Sequence, residues 1–159
     1  MVRIIRAGLV LAIGPAIVLS SGCGTSSGPT TREGRLEVAR AAAMEEVGKM
    51  LQLRKSEANR PPAQVNDLAR YEPGFPVGFR RLNNGEIVVM LGAPVEEGSS
   101  ESVLAYEKQA PESGGYVLMQ DGKTVKELSS EEFRAAARAP GTPSPDHPAA
   151  TGGRSRKGR

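Results

Sequence analysis

Tyr116-Val117-Leu118-Met119-Gln120-Asp121-Gly122-Lys123-Thr124-Val125-Lys126-Glu127-Leu128 is the stretch whose reading decides the fold. Two runs rich in β-branched and large apolar residues flank Asp-Gly-Lys, and Asp-Gly between such runs is a strong hairpin signal. The stretch therefore predicts two antiparallel strands, 116–120 and 124–128. Upstream, Val77 to Leu82 and Glu86 to Leu91 flank Asn83-Asn84-Gly85, which reads as a second hairpin. Val103 to Glu107 supplies a further strand candidate. The chain thus predicts an antiparallel sheet of four or five strands.

Outward from the sheet the period changes from two to between three and four. Leu36, Ala39, Ala43, Val47, Met50 and Leu51 recur at spacings of three and four, with Glu37, Arg40, Glu45 and Lys49 on the opposite side. That is one apolar face of a long amphipathic helix from Arg32 to about Ala58. Thr30 with Glu33 reads as its capping box, and Asn59-Arg60-Pro61-Pro62 as its stop. Ala63 to Tyr71 predicts a second short helix with Val65, Leu68 and Ala69 inward. Ser129 with Glu132 predicts a capping box and a last helix to about Arg138. From Pro140 on, Pro, Gly, Ser and Thr dominate, a composition expected to stay disordered. The expected fold is α+β, with the long helix laid on one face of the sheet. The expected domain is 31–139, followed by a Pro/Gly-rich basic tail, 140–159.

Composition narrows the function. The 159 residues suit one domain. Of 21 basic residues, Arg3 and Arg6 lie at the extreme N-terminus and Arg154, Arg156, Lys157 and Arg159 at the other end. The body between is slightly acidic, without the basic stripe that nucleic-acid binding uses. There is no Trp, aromatic residues are 4%, and the core must be built from aliphatic residues and Met. One cysteine allows no internal disulfide, so Cys23 needs another reason.

The first 22 residues supply that reason. Arg3 and Arg6 precede an apolar run, Ala7 to Leu19, broken by Gly14 and Pro15. Ser20, Ser21 and Gly22 then lead into Cys23. The layout is that of an export signal, and the run is short for a bilayer span of about 20 residues. Leu19-Ser20-Ser21-Gly22-Cys23 resembles a lipobox, the motif of bacterial lipoproteins. Its Leu stands four residues before Cys, where three is more common. The resemblance implies cleavage between Gly22 and Cys23, lipid on the Cys23 thiol, and a tether over 23–30. Gly24 in place of Asp implies sorting to the outer membrane, on its periplasmic or surface face.

A second resemblance covers about Leu36 to Phe133. The order of long helix and small antiparallel sheet is similar to pilins and pseudopilins, the subunits of type IV pili and type II secretion. Val103 to Glu107, Gly114 to Gly122, Val125 to Leu128, and Ser129, Glu132 and Phe133 look like the Asp-Gly ending of prepilin-type proteins. The histidine of that group falls here at Pro111, and its prepilin cleavage signature is missing. The resemblance implies a pilin-like fold and an accessory relation to such machines, not polymerisation.

Catalytic chemistry finds little material. The single histidine, His147, lies in the tail, and a general base must be held within hydrogen-bond reach. No Cys/His cluster suggests zinc, and no glycine pattern suggests a phosphate loop. Glu96, Glu97, Glu101 and Glu107 are the carboxylates from which a wall-polymer hydrolase would be built, and a solvated acidic loop is the simpler reading. The expectation is therefore no catalytic residue, no metal and no cofactor. The partners expected are the membrane, through lipid, and an envelope protein at an exposed strand edge. Arg154, Arg156, Lys157 and Arg159 form a candidate polyanion-binding tail whose contacts would be weak and salt-sensitive.

Overall fold

A computed structural model describes residues 31–145. Cys23, its flanking lipobox, His147 and the basic cluster Arg154, Arg156, Lys157 and Arg159 lie outside the described residues. The fold is α+β: a sheet of six strands with helices packed on it.

Helix α1 spans Arg32–Ala58. Its cap is Thr31, one residue later than the Thr30–Glu33 box expected, with its hydroxyl oxygen accepting from the Gly34 N–H at 3.1 Å. It ends at Asn59, whose left-handed φ of 49° closes the last turn before Pro61 and Pro62. Ala43, Val47, Met50 and Leu51 are buried, whereas Leu36 and Ala39, expected on the same face, are exposed. Val65–Tyr71 forms a turn of 3-10 rather than α-helix, seating Leu68 and Tyr71 in the core.

The next element corrects the sequence reading. Residues 77–82, expected as a strand, belong to helix α2, Pro76–Asn83. Pro76 starts it, where a missing N–H costs nothing. Phe79 and Leu82, three apart, face inward. Asn84-Gly85 is its C-terminal closure, not a hairpin loop. The Glu86 N–H donates to the Arg81 carbonyl and the Gly85 N–H to the Leu82 carbonyl, with Gly85 at φ 71°. This paired bonding is the Schellman arrangement, which favours Gly for the same positive φ that a hairpin does.

The strands are β1 Ile87–Leu91, β2 Ser102–Glu107, β3 Gly115–Met119, β4 Val125–Leu128, β5 Ala137–Arg138 and β6 Thr142–Pro143. Their order is β4-β3-β2-β1-β6, antiparallel throughout, with β5 pairing β2 in parallel. The β3–β4 hairpin has the expected turn. Asp121 accepts from the Lys123 and Thr124 N–H groups and the Thr124 hydroxyl, and Gly122 takes φ 69°.

Both faces of the sheet are covered. The larger core joins α1, α2 and the 3-10 turn to Ile87, Val89, Leu104 and Leu118. A smaller one on the other side holds Val103, Ala110, Val117, Met119 and Phe133. It is closed by α3, Ala110–Ser113, and α4, Ser130–Ala135. The Ser129–Glu132 capping box is present, and it starts α4 where Phe133 drops into this second core. Val103 faces the smaller core, and the register shift between Val103 and Ala105 lets the adjacent Leu104 and Ala105 both enter the larger one.

The segment from Pro140 was expected to be disordered; as far as residue 145 it is not. Gly141 passes against the end of β1, where a Cβ would lie 2.6 Å from the Leu91 carbonyl oxygen. Thr142–Pro143 then pairs with the outer edge of β1, and Ser144 exchanges bonds with Val89. An otherwise open strand edge is thereby covered.

Candidate functional site

α1 positions the chemistry through three close approaches. Its Gly48 lies under the β3–β4 turn, where a Cβ would meet the Gly122 carbonyl oxygen at 2.5 Å, and Gln52 donates to that same oxygen at 2.7 Å. Its Glu46 accepts from the Gly78 N–H at 2.7 Å, placing a carboxylate at the positive end of α2. Gly78 itself packs so close to Ala43 and Glu46 that a Cβ would stand 2.8–2.9 Å from them.

The third approach is the most polar. Glu107, at the end of β2, is only 2% exposed. Arg40 of α1 grips it with Nε at 2.8 Å from Oε1 and Nη2 at 2.5 Å from Oε2. The Tyr116 N–H donates to Oε2 at 2.8 Å, and Arg81 of α2 stands 3.7 Å from Oε1. The hydrogen bond to Glu107 raises the Arg40 pKa further, against the opposing pull of burial. Arg40 also stacks over the Tyr116 ring at 5.3 Å, and burial pushes the Tyr116 hydroxyl up. Gly115 is required here, since a Cβ would sit 2.7 Å from Glu107 Oε2. A shallow depression opens beside the cluster, bounded by Arg40, Arg81, Glu86, Lys108 and Glu112.

Arg40 was expected on the solvent side of α1, and Glu107 among the acidic candidates for catalysis. The structure brings these two together and separates Glu107 from the others. Glu96, Glu97 and Glu101 are exposed on the loop between β1 and β2. Glu107 has both oxygens committed to protein donors, so the arrangement ties helix to sheet and presents no free carboxylate to a substrate. A bidentate guanidinium–carboxylate pair is geometrically specific and fixes the register of α1 on the sheet. Among the described residues no group of three or more His, Cys, Asp or Glu side chains is placed to hold a metal ion.

Two other carboxyls are tuned by local hydrogen bonds. The Ala63 N–H holds the Asp67 carboxyl below its ordinary value. Burial works to raise Asp121, but the Thr124 hydroxyl and N–H and the Lys123 N–H outweigh it and bring the carboxyl down. Arg54 is 9% exposed, its Nε has no hydrogen-bond partner, and its nearest carboxylate, Asp67, stands 3.9 Å away.

An open groove runs beside the C-terminal half of α1, towards the β3–β4 turn. Leu53, Phe75 and Val95 supply apolar surface and Lys49, Lys55 and Lys123 the rim. The sheet's other exposed edge, β4, carries Lys126 and Glu127 on exposed positions. Charges on an edge strand discourage indiscriminate pairing. Among the described residues no helix is long and apolar enough to cross a membrane. The chain matches no protein-family model, no curated protein and no solved structure.

Proposed function

We propose that this chain is a lipid-anchored envelope protein whose folded domain acts as a non-catalytic structural or protein-binding module. The observation that carries the reading is Leu19-Ser20-Ser21-Gly22-Cys23, placed behind two arginines and an apolar run. A chain with one cysteine at that position has a chemical use for it: the thiol accepts the lipid. Acyl chains contribute about 0.8 kcal/mol per buried methylene, so several together hold a small domain at a membrane. Within the folded part Glu107, its most buried carboxylate, ties α1 to the sheet. Mass spectrometry of the mature N-terminus tests this. The account expects cleavage after Gly22 and a diacylglyceryl mass on Cys23; an intact leader or an unmodified thiol contradicts it.

A second reading is favoured by element order. A 27-residue helix precedes and packs against β3 and β4 of the sheet, which supports a pilin-like arrangement. On that reading the protein is an accessory lipoprotein of a secretion or pilus machine of the type II or type IV kind. Cross-linking in the intact envelope tests it: the expected adducts are subunits of such a machine.

A further inference from the structure

The two most exposed large apolar side chains among the described residues, Leu36 at 55% and Val38 at 56%, lie in the first two turns of α1. Leu36 stands seven residues before Ala43 and eleven before Val47, hence on the same helical face as the core. There the core face simply outruns the sheet. Residues 35–39 are exposed on every side. Val38 projects roughly 200° round the helix from Leu36, yet only about 3 Å further along the axis. Apolar groups on opposite sides at one height suit immersion of the helix end, not a groove along one flank.

Chain length identifies what lies there. Arg32 is nine residues after Cys23, so the tether reaches at most about 30 Å. α1 itself is about 40 Å long, so its first turns are the part of the fold held nearest to the anchor. We propose that the N-terminal turns of α1, through Leu36 and Val38, rest in the phospholipid surface that holds Cys23; the proposal depends on the lipid-anchor reading above. Arg32 and Arg35 are balanced locally by Glu33 and Glu37. The contact is therefore apolar rather than coulombic and does not require anionic lipid.

The test uses the full lipidated chain in phosphatidylethanolamine/phosphatidylcholine vesicles, with and without phosphatidylglycerol. Leu36→Cys carries a thiol-reactive fluorophore; Glu101→Cys, exposed on the loop between β1 and β2, is the reference. The expected result is iodide quenching at 36 at least threefold weaker than at 101, unchanged by phosphatidylglycerol. In the non-lipidated Cys23→Ser chain without vesicles, the two sites should quench alike. If the chain carries lipid and sediments with vesicles but 36 quenches like 101, the proposal is overturned and the anchor stands. If no lipid is attached, both fall. If 36 is protected in the Cys23→Ser chain, and more so as concentration rises, a second copy covers the site and the proposal is wrong.

Discussion

Gly48→Ala is the substitution on which helix propensity and packing disagree most sharply. In an exposed helix interior this change stabilises by about 1 kcal/mol. Here the new methyl would lie 2.5 Å from the Gly122 carbonyl oxygen and 3.1 Å from a Leu118 methyl. Relief needs the β3–β4 turn to retreat by several tenths of an ångström or more. That retreat pulls Gly122 away from Gln52, whose hydrogen bond is worth about 0.5–1.5 kcal/mol. Overpacking of this kind costs about 1–3 kcal/mol. Overpacking and the weakened hydrogen bond together, set against the gain in propensity, leave a net loss of about 0.5–3.5 kcal/mol. Urea unfolding followed by helix circular dichroism reads it as a lower midpoint at unchanged slope. Gln52→Ala should then cost less in the Gly48→Ala background than alone, because its bond is already weakened. A Gly48→Ala variant as stable as the parent, or more so, refutes the close approach of α1 to the turn.

Glu107→Gln keeps the shape but removes the charge that two arginines face, and should cost about 2–4 kcal/mol in the same assay; a change under 0.5 kcal/mol would mean Arg40 contributes nothing to docking α1. Arg54→Met removes a buried Nε donor without a partner, so stability should stay level or rise by up to about 2 kcal/mol; any clear loss of stability would contradict this. The depressed Asp121 carboxyl has a lower pKa folded than unfolded, so its contribution is complete above about pH 4 and disappears as pH falls through the folded value. Asp121→Asn should therefore lower stability at pH 7 and make the acid limb of the stability curve shallower; an unchanged limb contradicts the assignment.

Local chemistry was most legible where one residue type has one use. Asp121-Gly122 specified its hairpin, and Ser129 with Glu132 its cap, because those side chains satisfy backbone groups within three residues of themselves. Asn84-Gly85 was ambiguous for the same kind of reason: a left-handed glycine ends helices as readily as it turns strands. Only the three-residue spacing of Phe79 and Leu82, with Pro76 before them, separates the two outcomes. The unbroken run Ile87-Val88-Val89-Met90-Leu91 carried a signal that alternation arguments overlook. A run with no polar alternation fits a strand covered on both faces: Ile87, Val89 and Met90 join the larger core, and Val88, pointing the other way, is buried as well. The Arg40–Glu107 pair joins positions 67 apart and left no mark in either local pattern. The composition from Pro140 on implied disorder, yet two residues suffice to pair with β1 when Gly141 lets the chain pass its end.

The central claim is that Cys23 holds this domain at a membrane. Fatty-acid labelling combined with membrane fractionation, comparing the parent chain with Cys23→Ala, tests it most directly. The account predicts label and membrane association in the parent and the loss of both in the variant. Retention of Cys23→Ala in the membrane fraction would show that the N-terminal segment anchors the chain without lipid, and would contradict it.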